Sequence, residues 1–177
     1  DELGVSGING VEWDAVELPS QFMENFVWEY DVLAQMSAHE ETGEPLPKEL
    51  FDKMLAAKNF QRGMFLVRQM EFALFDMTIY SEDDEGRLKN WPQVLDSVRK
   101  EVAVIQPPEY NRFANSFSHI FAGGYAAGYY SYAWAEVLSA DAYAAFEESE
   151  DVAATGTHFW PEILAAGGPR SAAESFQ

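Results

Sequence analysis

Apolar residues recur every three or four positions along most of the chain, which is the spacing of amphipathic helices. The pattern covers residues 13–39, 48–80, 88–104, 113–146 and 158–166. In the second stretch, Leu74 and Met77 belong to the apolar positions, and Gly63 indicates a division into two helices. The alternation typical of strands is weak even at its best, in residues 102–106. The pattern therefore predicts an all-α fold in one domain, residues 1–177.

Short segments rich in glycine, proline or acidic residues separate the predicted helices. They lie at residues 1–11, 41–47, 81–86 and 106–110, and they predict loops and turns. The chain opens with Asp1 rather than methionine, and it closes on SAAESFQ, a helical pattern without the Gly or Pro that usually ends a helix. We interpret it as part of a longer protein, truncated at both ends.

Charge and composition narrow the classes of function. The chain has 30 acidic and 11 basic residues, and its net charge of −19 repels phosphate backbones, so we expect no nucleic-acid partner. It contains no cysteine, so any metal must be held by histidine or carboxylate side chains. We find neither an apolar run long enough for a membrane span nor a signal peptide, and we expect a cytoplasmic protein without membrane contact.

The first stretch with candidate chemistry is VEWDAVELPSQFMENFVWE, residues 11–29. Glu17 lies between Val16 and Leu18, and a carboxylate among apolar neighbours is costly unless it binds a metal or a partner. Glu17 and Glu24 are seven positions apart and would share one face of a helix. A solvated acidic face explains the same residues, so both interpretations stay open on this pattern alone.

The second stretch is HIFAGGYAAGYYSYAW, residues 119–134. Tyr125, Tyr129 and Tyr132 fall at positions i, i+4 and i+7, which predicts one face of a helix that begins near Gly124. Two further rings fall on the opposite side of that helix, where we expect them in the core: Tyr130 and Trp134.

This stretch has the residue types of a site that binds a developing negative charge. Phenols donate hydrogen bonds to an oxyanion and keep their proton at neutral pH. Gly123 and Gly124 predict a movable loop between His119 and the tyrosines. Ordinary core packing remains the alternative explanation for such a row of aromatic residues.

Both stretches resemble motifs of a known enzyme family. GVEWDAVELPSQFMENF and FSHIFAGGYAAGYYSYAWAEVLSADAY resemble motifs of the thimet oligopeptidase family of zinc peptidases, and most of all its bacterial oligopeptidase A branch. The resemblance runs along the whole chain and includes ETGEPLPKELFDKMLAAKNF. It implies the C-terminal portion of a helical, zincin-like catalytic domain from an enzyme that hydrolyses short peptides.

The resemblance also implies one Zn²⁺ ion, with Glu17 as its third protein ligand. In the family the other two ligands are histidines of an H-E-x-x-H helix, which also carries the general-base glutamate. No such motif occurs here, where the only histidines are His39, His119 and His158. The remainder of the peptidase chain would have to supply these groups, so we expect this part alone to be inactive and to bind zinc weakly.

The family's other functional residues match the glycine- and tyrosine-rich stretch. The resemblance implies that Tyr132 donates a hydrogen bond to the oxyanion of the transition state, with help from His119. It implies that Tyr125 and His119 bind the peptide substrate, and that Gly123 and Gly124 let the loop close over it.

Two other classes of protein compete with this interpretation. One is an acidic all-α interaction domain that binds a partner peptide or helix in an aromatic groove. If Glu17 and Tyr132 face the same cleft, the peptidase interpretation is favoured over this one. The other is a helical protein with a carboxylate-bridged metal centre, which needs Glu-x-x-His pairs. Its candidate ligands are poorly spaced: Glu136, Glu147 and His158.

Overall fold

The computed structural model describes residues 10–81 and 90–175. These residues form helices, turns and irregular segments without a strand, which confirms the predicted all-α fold. Most of the predicted loop at 1–11 and of the acidic turn at 81–86 lies outside the described residues. The chain divides into two compact units, Asp1–Phe60 with Ala135–Gln177, and Gln61–Trp134. A single domain over the whole chain stays a prediction.

Ten α-helices follow one another within the described ranges. They are α1 (Leu18–Glu24), α2 (Tyr30–Met36), α3 (Lys48–Ala57), α4 (Arg62–Tyr80), α5 (Trp91–Val102), α6 (Phe113–Ser116), α7 (Ser118–Phe121), α8 (Ser131–Glu147), α9 (Val152–Phe159) and α10 (Ala172–Ser175). Short 3₁₀ segments at Trp13–Ala15 and Asn25–Trp28 and a π-helical turn at Trp160–Leu164 complete them. None of the described helices has the length and apolar composition needed to cross a bilayer.

The second predicted stretch divides into α3 and α4, as its sequence indicated. Gln61, with φ 58° and ψ 23°, precedes α4 in the left-handed region. A residue in this conformation cannot continue a right-handed helix. The apolar positions that marked the predicted face of α4 are nevertheless exposed, since Leu74 and Met77 are each 43% accessible. The buried face of α4 instead contains Glu71 and Asp76.

An aromatic cluster holds the first unit together. The Phe22 ring stacks on Phe159 at 4.2 Å between centroids and meets Phe146 at 5.2 Å. Phe26 packs edge-on against Phe22 at 5.5 Å. Buried aromatic side chains contribute large apolar areas, and such ring pairs add to that stabilisation. The cluster therefore ties α1 to the C-terminal half of α8 and to α9.

A buried ion pair joins α4 and α5 in the second unit. Arg99 Nε donates to Glu71 Oε1 at 2.8 Å, and the two residues are 9% and 1% exposed. The Arg99 guanidinium also donates from Nη2 to Asn111 Oδ1 at 3.2 Å. Asn111 Oδ1 accepts in addition from the N–H of Phe113 at 3.1 Å. This network fixes the start of α6 against the helix pair.

The apolar core of the second unit lies beside that ion pair. Its buried members are Phe75, Ile79, Leu95, Ala114, Phe117 and Ile120. Partly buried rings pack on them, including those of Tyr125 and Tyr129 from the tyrosine-rich stretch. The core of this unit thus extends directly to the candidate functional residues.

The pKa of Tyr143 gives the first unit a testable pH dependence. Burial, and then a hydrogen bond from the Tyr143 hydroxyl to Glu29 Oε1 at 3.1 Å, raise this pKa from 10.0 to about 12. The folded chain therefore holds this proton more tightly than the unfolded chain. The resulting stability is fully present below pH 10 and is lost as the pH rises to about 12.

In Tyr143→Phe, the phenylalanine at position 143 cannot ionise. Between pH 10 and about 12, the free energy of unfolding of the native chain should therefore fall relative to that of the variant. Urea denaturation of both proteins at a series of pH values measures the difference. A difference that stays constant across the interval would contradict the assignment.

Candidate active site

The tyrosine-rich stretch is a turn followed by a helix, and the prediction of a helix from Gly124 is wrong. Helix α8 begins at Ser131, and residues 122–130, here called the glycine loop, precede it. Gly124 has φ 86° and Ala127 has φ 54°. These left-handed residues interrupt any right-handed helix. Tyr125 and Tyr129 therefore lie in a turn and Tyr132 at the start of the following helix, rather than all three on one helical face.

The carboxylate of Asp76 holds the end of the glycine loop in this conformation. Its Oδ1 accepts the N–H of Ala127 at 2.8 Å, and its Oδ2 accepts the N–H of Tyr129 at 2.9 Å. Asp76 is 0% exposed. Burial raises the pKa of this carboxyl above its ordinary value, while backbone hydrogen bonds from Tyr129, Ala127 and Gly128 act in the opposite direction.

The loop brings the sequence-predicted tyrosines together around His119. The rings of Tyr125 and Tyr132 are stacked, with centroids 5.2 Å apart and planes inclined by 14°. The His119 ring lies 5.7 Å from Tyr125 and 6.1 Å from Tyr132. Tyr125 and Tyr132 are half-buried, and His119 is exposed. Three of the predicted site residues thus form one partly accessible cluster of rings.

Tyr129 lies in the same cluster but is held by the protein interior. Its hydroxyl donates to Gln69 Oε1 at 3.2 Å, and its ring packs edge-on against Phe117 at 5.0 Å. Burial, and then the neighbouring Tyr132, raise the pKa of Tyr129, and Arg68 acts in the opposite direction. Tyr129 therefore links the interior to Tyr132, whose ring centroid lies 5.1 Å away.

Two glycines set the path of the loop beside His119. A Cβ atom on Gly123 would lie 2.9 Å from His119 Cα and 3.0 Å from the His119 carbonyl oxygen, closer than such atoms approach. Gly123 N–H donates to the Ser118 carbonyl at 2.7 Å, and Tyr125 N–H donates to the His119 carbonyl at 2.9 Å. Gly124, at φ 86°, makes the turn between these bonds.

The expectation that Tyr130 and Trp134 are core residues is wrong. Tyr130 is 38% exposed, and Trp134 is 53% exposed. Since α8 starts at Ser131, Tyr130 precedes the helix. The buried positions along the first half of α8 carry small side chains instead: Ser131, Ala135 and Ser139.

The predicted metal ligand Glu17 lies at the N-cap of α1. Its side chain is half-buried, and its Oε2 accepts a hydrogen bond from Ser20 Oγ at 2.9 Å. Within residues 10–81 and 90–175, no three histidine or carboxylate side chains are grouped to hold a metal. Glu17 belongs to the first unit and Tyr132 to the second, so their position on one cleft stays a prediction.

Sequence reasoning missed Asp76 and Tyr80, which both contact this site from α4. The Tyr80 hydroxyl donates to the Ile120 carbonyl at 2.6 Å. Burial, and then the charge of Asp76, raise the pKa of Tyr80. The available signal was the lone acid in the apolar run FALFDMTIY, because a buried carboxylate requires partners.

Comparison with known proteins shows similarity along the whole chain. The sequence profile of Peptidase family M3 matches residues 2–177. The chain is 56% identical over 178 residues to oligopeptidase A of Salmonella typhimurium, covering 100% of this chain and 26% of that protein. It is 55% identical to oligopeptidase A of Escherichia coli, with the same coverage.

A more distant relative comes from a eukaryote. Saccharolysin of Saccharomyces cerevisiae is 34% identical over 172 residues, which cover 94% of this chain and 24% of that protein. The chain thus spans about a quarter of the length of the curated relatives it matches.

Gly123→Ala tests the close approach of the loop to His119. The added methyl group would meet backbone atoms, so we expect the free energy of unfolding to fall by about 1–3 kcal/mol. Gly156→Ala is the control, because the added Cβ would lie 3.9 Å from Phe146 Cε1, an ordinary contact. Alanine in helix α9 should stabilise the protein by about 0.5–1 kcal/mol. Equal urea midpoints for Gly123→Ala and the native chain would show that the loop can take another path.

Proposed function

Because this chain belongs to peptidase family M3, as its two motif stretches implied, we propose that it is the C-terminal portion of the catalytic domain of a zinc-dependent oligopeptidase. Its substrates are short peptides, and its location is the cytoplasm. The observation that carries the proposal is the cluster of Tyr125, Tyr132 and His119 rings within about 6 Å of one another beside a glycine loop. Two relatives at more than half identity carry the name oligopeptidase A.

The family implies a metal cofactor, and the proposal assigns it as zinc. The described residues do not fit a complete site, since they offer no cluster of three ligands. Glu17, whose carboxylate is partly accessible, supplies one oxygen ligand, and the remainder of the peptidase chain supplies the histidines. Bound zinc would act as a Lewis acid and lower the pKa of a coordinated water.

Tyr132 is the catalytic hydrogen-bond donor of this proposal. A phenol keeps its proton at neutral pH, so its hydroxyl can donate to the negative oxygen that develops at the scissile carbonyl. The Tyr132 ring is held from two sides, by stacking on Tyr125 at 5.2 Å and by Tyr129 at 5.1 Å. A donor positioned before the reaction requires little reorganisation when the charge forms.

His119 and Tyr125 bind the peptide in the proposal, and Gly123 and Gly124 allow the loop to close over it. His119 is an exposed member of the ring cluster, so a substrate can reach it. The two glycines lie between His119 and Tyr125, so a movement at this point changes the distance between the two contacts. Closure of such a loop excludes water and completes the set of contacts to substrate.

Glu17→Ala tests the metal assignment in the full-length enzyme. Loss of one of three protein ligands should abolish tight zinc binding, because all three ligands together hold the ion in a catalytic zinc site. Atomic emission after dialysis measures the zinc content, and Glu24→Ala at the exposed end of α1 is the matched control. Full zinc occupancy in Glu17→Ala would refute the assignment.

Tyr132→Phe tests the oxyanion contact in the full-length enzyme. The change removes one hydroxyl and little volume, so folding should survive, while kcat should fall by about 100-fold or more with a small change in KM. Tyr130→Phe is the neighbouring control and should keep kcat within a few-fold. Both are measured on one quenched-fluorescent peptide. Native kcat in Tyr132→Phe would mean that the tyrosine row serves packing alone.

A further inference from the structure

Helix α4 contacts the segment that enters the glycine loop and the second half of the loop itself. Tyr80 donates its hydroxyl proton to the carbonyl of Ile120 at 2.6 Å, one residue after His119. Asp76, one helical turn earlier, accepts the N–H groups of Ala127 and Tyr129. Residues four apart lie on the same helix face. A single face of one helix thus fixes the entry and the exit of the loop.

The exit contact depends on both carboxylate oxygens of Asp76. Ala127 is in the left-handed region at φ 54°, which side chains other than glycine rarely adopt. Successive N–H groups in such a turn point to one side and form a small concave site for an anion. Each carboxylate oxygen of Asp76 accepts one of these N–H groups, at 2.8 and 2.9 Å. The two hydrogen bonds to a fully buried carboxylate thus stabilise a left-handed conformation that is unfavourable for alanine by itself.

The tethered segments are the ones that carry the ring cluster. His119 immediately precedes Ile120, and Tyr129 packs against Tyr132 at 5.1 Å. Gly123 and Gly124 lie between these two contacts. The two contacts of α4 therefore support the segments that carry the rings of His119 and Tyr132, which lie 6.1 Å apart.

We propose that Asp76 and Tyr80 are positioning residues of the peptidase, which hold the second half of the glycine loop and the segment that enters it, so that the Tyr132 hydroxyl meets the reacting carbonyl. The inference rests on the proposed function. A role in packing alone would favour an apolar side chain at position 76, because a buried carboxylate is costly without polar partners. Both oxygens of Asp76 instead face the backbone of the loop.

The test uses kinetics of the full-length enzyme. Asp76→Asn keeps the shape of the side chain but leaves one acceptor oxygen for two N–H donors. A small displacement of a catalytic group is costly, so kcat should fall by about 10- to 100-fold while KM changes less. Asp96→Asn is the control for the lost charge, because its side chain is 60% exposed on α5, and it should keep native kcat.

A double variant separates positioning from general destabilisation. If Asp76 acts through Tyr132, then Asp76→Asn should change kcat of Tyr132→Phe by no more than about 3-fold, because the hydroxyl to be positioned is already absent. If the two residues acted independently, the losses in kcat of the two single variants would multiply in the double variant. Amide hydrogen exchange at residues 127 and 129 should also accelerate in Asp76→Asn.

Tyr80→Phe provides a second variant if Asp76→Asn does not fold. It removes only the hydroxyl that donates to Ile120 and should lower kcat about 3- to 10-fold, again with little effect in the Tyr132→Phe background. Tyr110→Phe is its control, since Tyr110 is 80% exposed.

The outcomes distinguish this inference from the proposed function. Native kcat in folded Asp76→Asn, or losses that multiply with that of Tyr132→Phe, would overturn the positioning role and leave the function of Tyr132 standing. If Asp76→Asn does not fold, native kcat in Tyr80→Phe would do the same. Native kcat in Tyr132→Phe itself would overturn the catalytic role of Tyr132 and the positioning role together. A full-length native protein without peptidase activity would overturn the proposed function.

Discussion

Two hydrogen bonds to one buried carboxylate hold the backbone of the candidate site. Asp76 is fully buried on α4, and its two oxygens accept N–H groups from a turn 51 and 53 residues further along the chain. Without these acceptors, the left-handed conformation of Ala127 would be unfavourable. The stacked tyrosines and the start of α8 follow from that turn. The ring packing of the cluster does not by itself select this backbone path.

Local patterns in the sequence were sufficient for much of the fold. The 3.6-residue spacing gave the helical class, and the division near Gly63 corresponds to the separate helices α3 and α4. The pattern misjudged the buried face of α4, because Leu74 and Met77 are exposed while Glu71 and Asp76 are buried. Glu71 pairs in the core with Arg99, 28 residues further along the chain, and local spacing carries no information about such a partner.

Local sequence patterns predict the candidate site only in part as well. The motif resemblance selected His119, Tyr125 and Tyr132, and the structure brings their rings together. The spacing of the tyrosines also fits a helix, and only the long-range bonds to Asp76 reveal why a turn forms there instead. That Glu17 joins the same site stays a prediction.

We propose above all that the tethered loop presents Tyr132 to the reacting carbonyl. A crystal structure of the full-length enzyme with a peptide whose scissile amide is replaced by a tetrahedral phosphinate tests it most directly, because such a group mimics the transition state. The account predicts the Tyr132 hydroxyl within about 3 Å of a phosphinate oxygen, with Asp76 still accepting from Ala127 and Tyr129. A Tyr132 hydroxyl directed away from the phosphinate, or a glycine loop detached from Asp76, would contradict it.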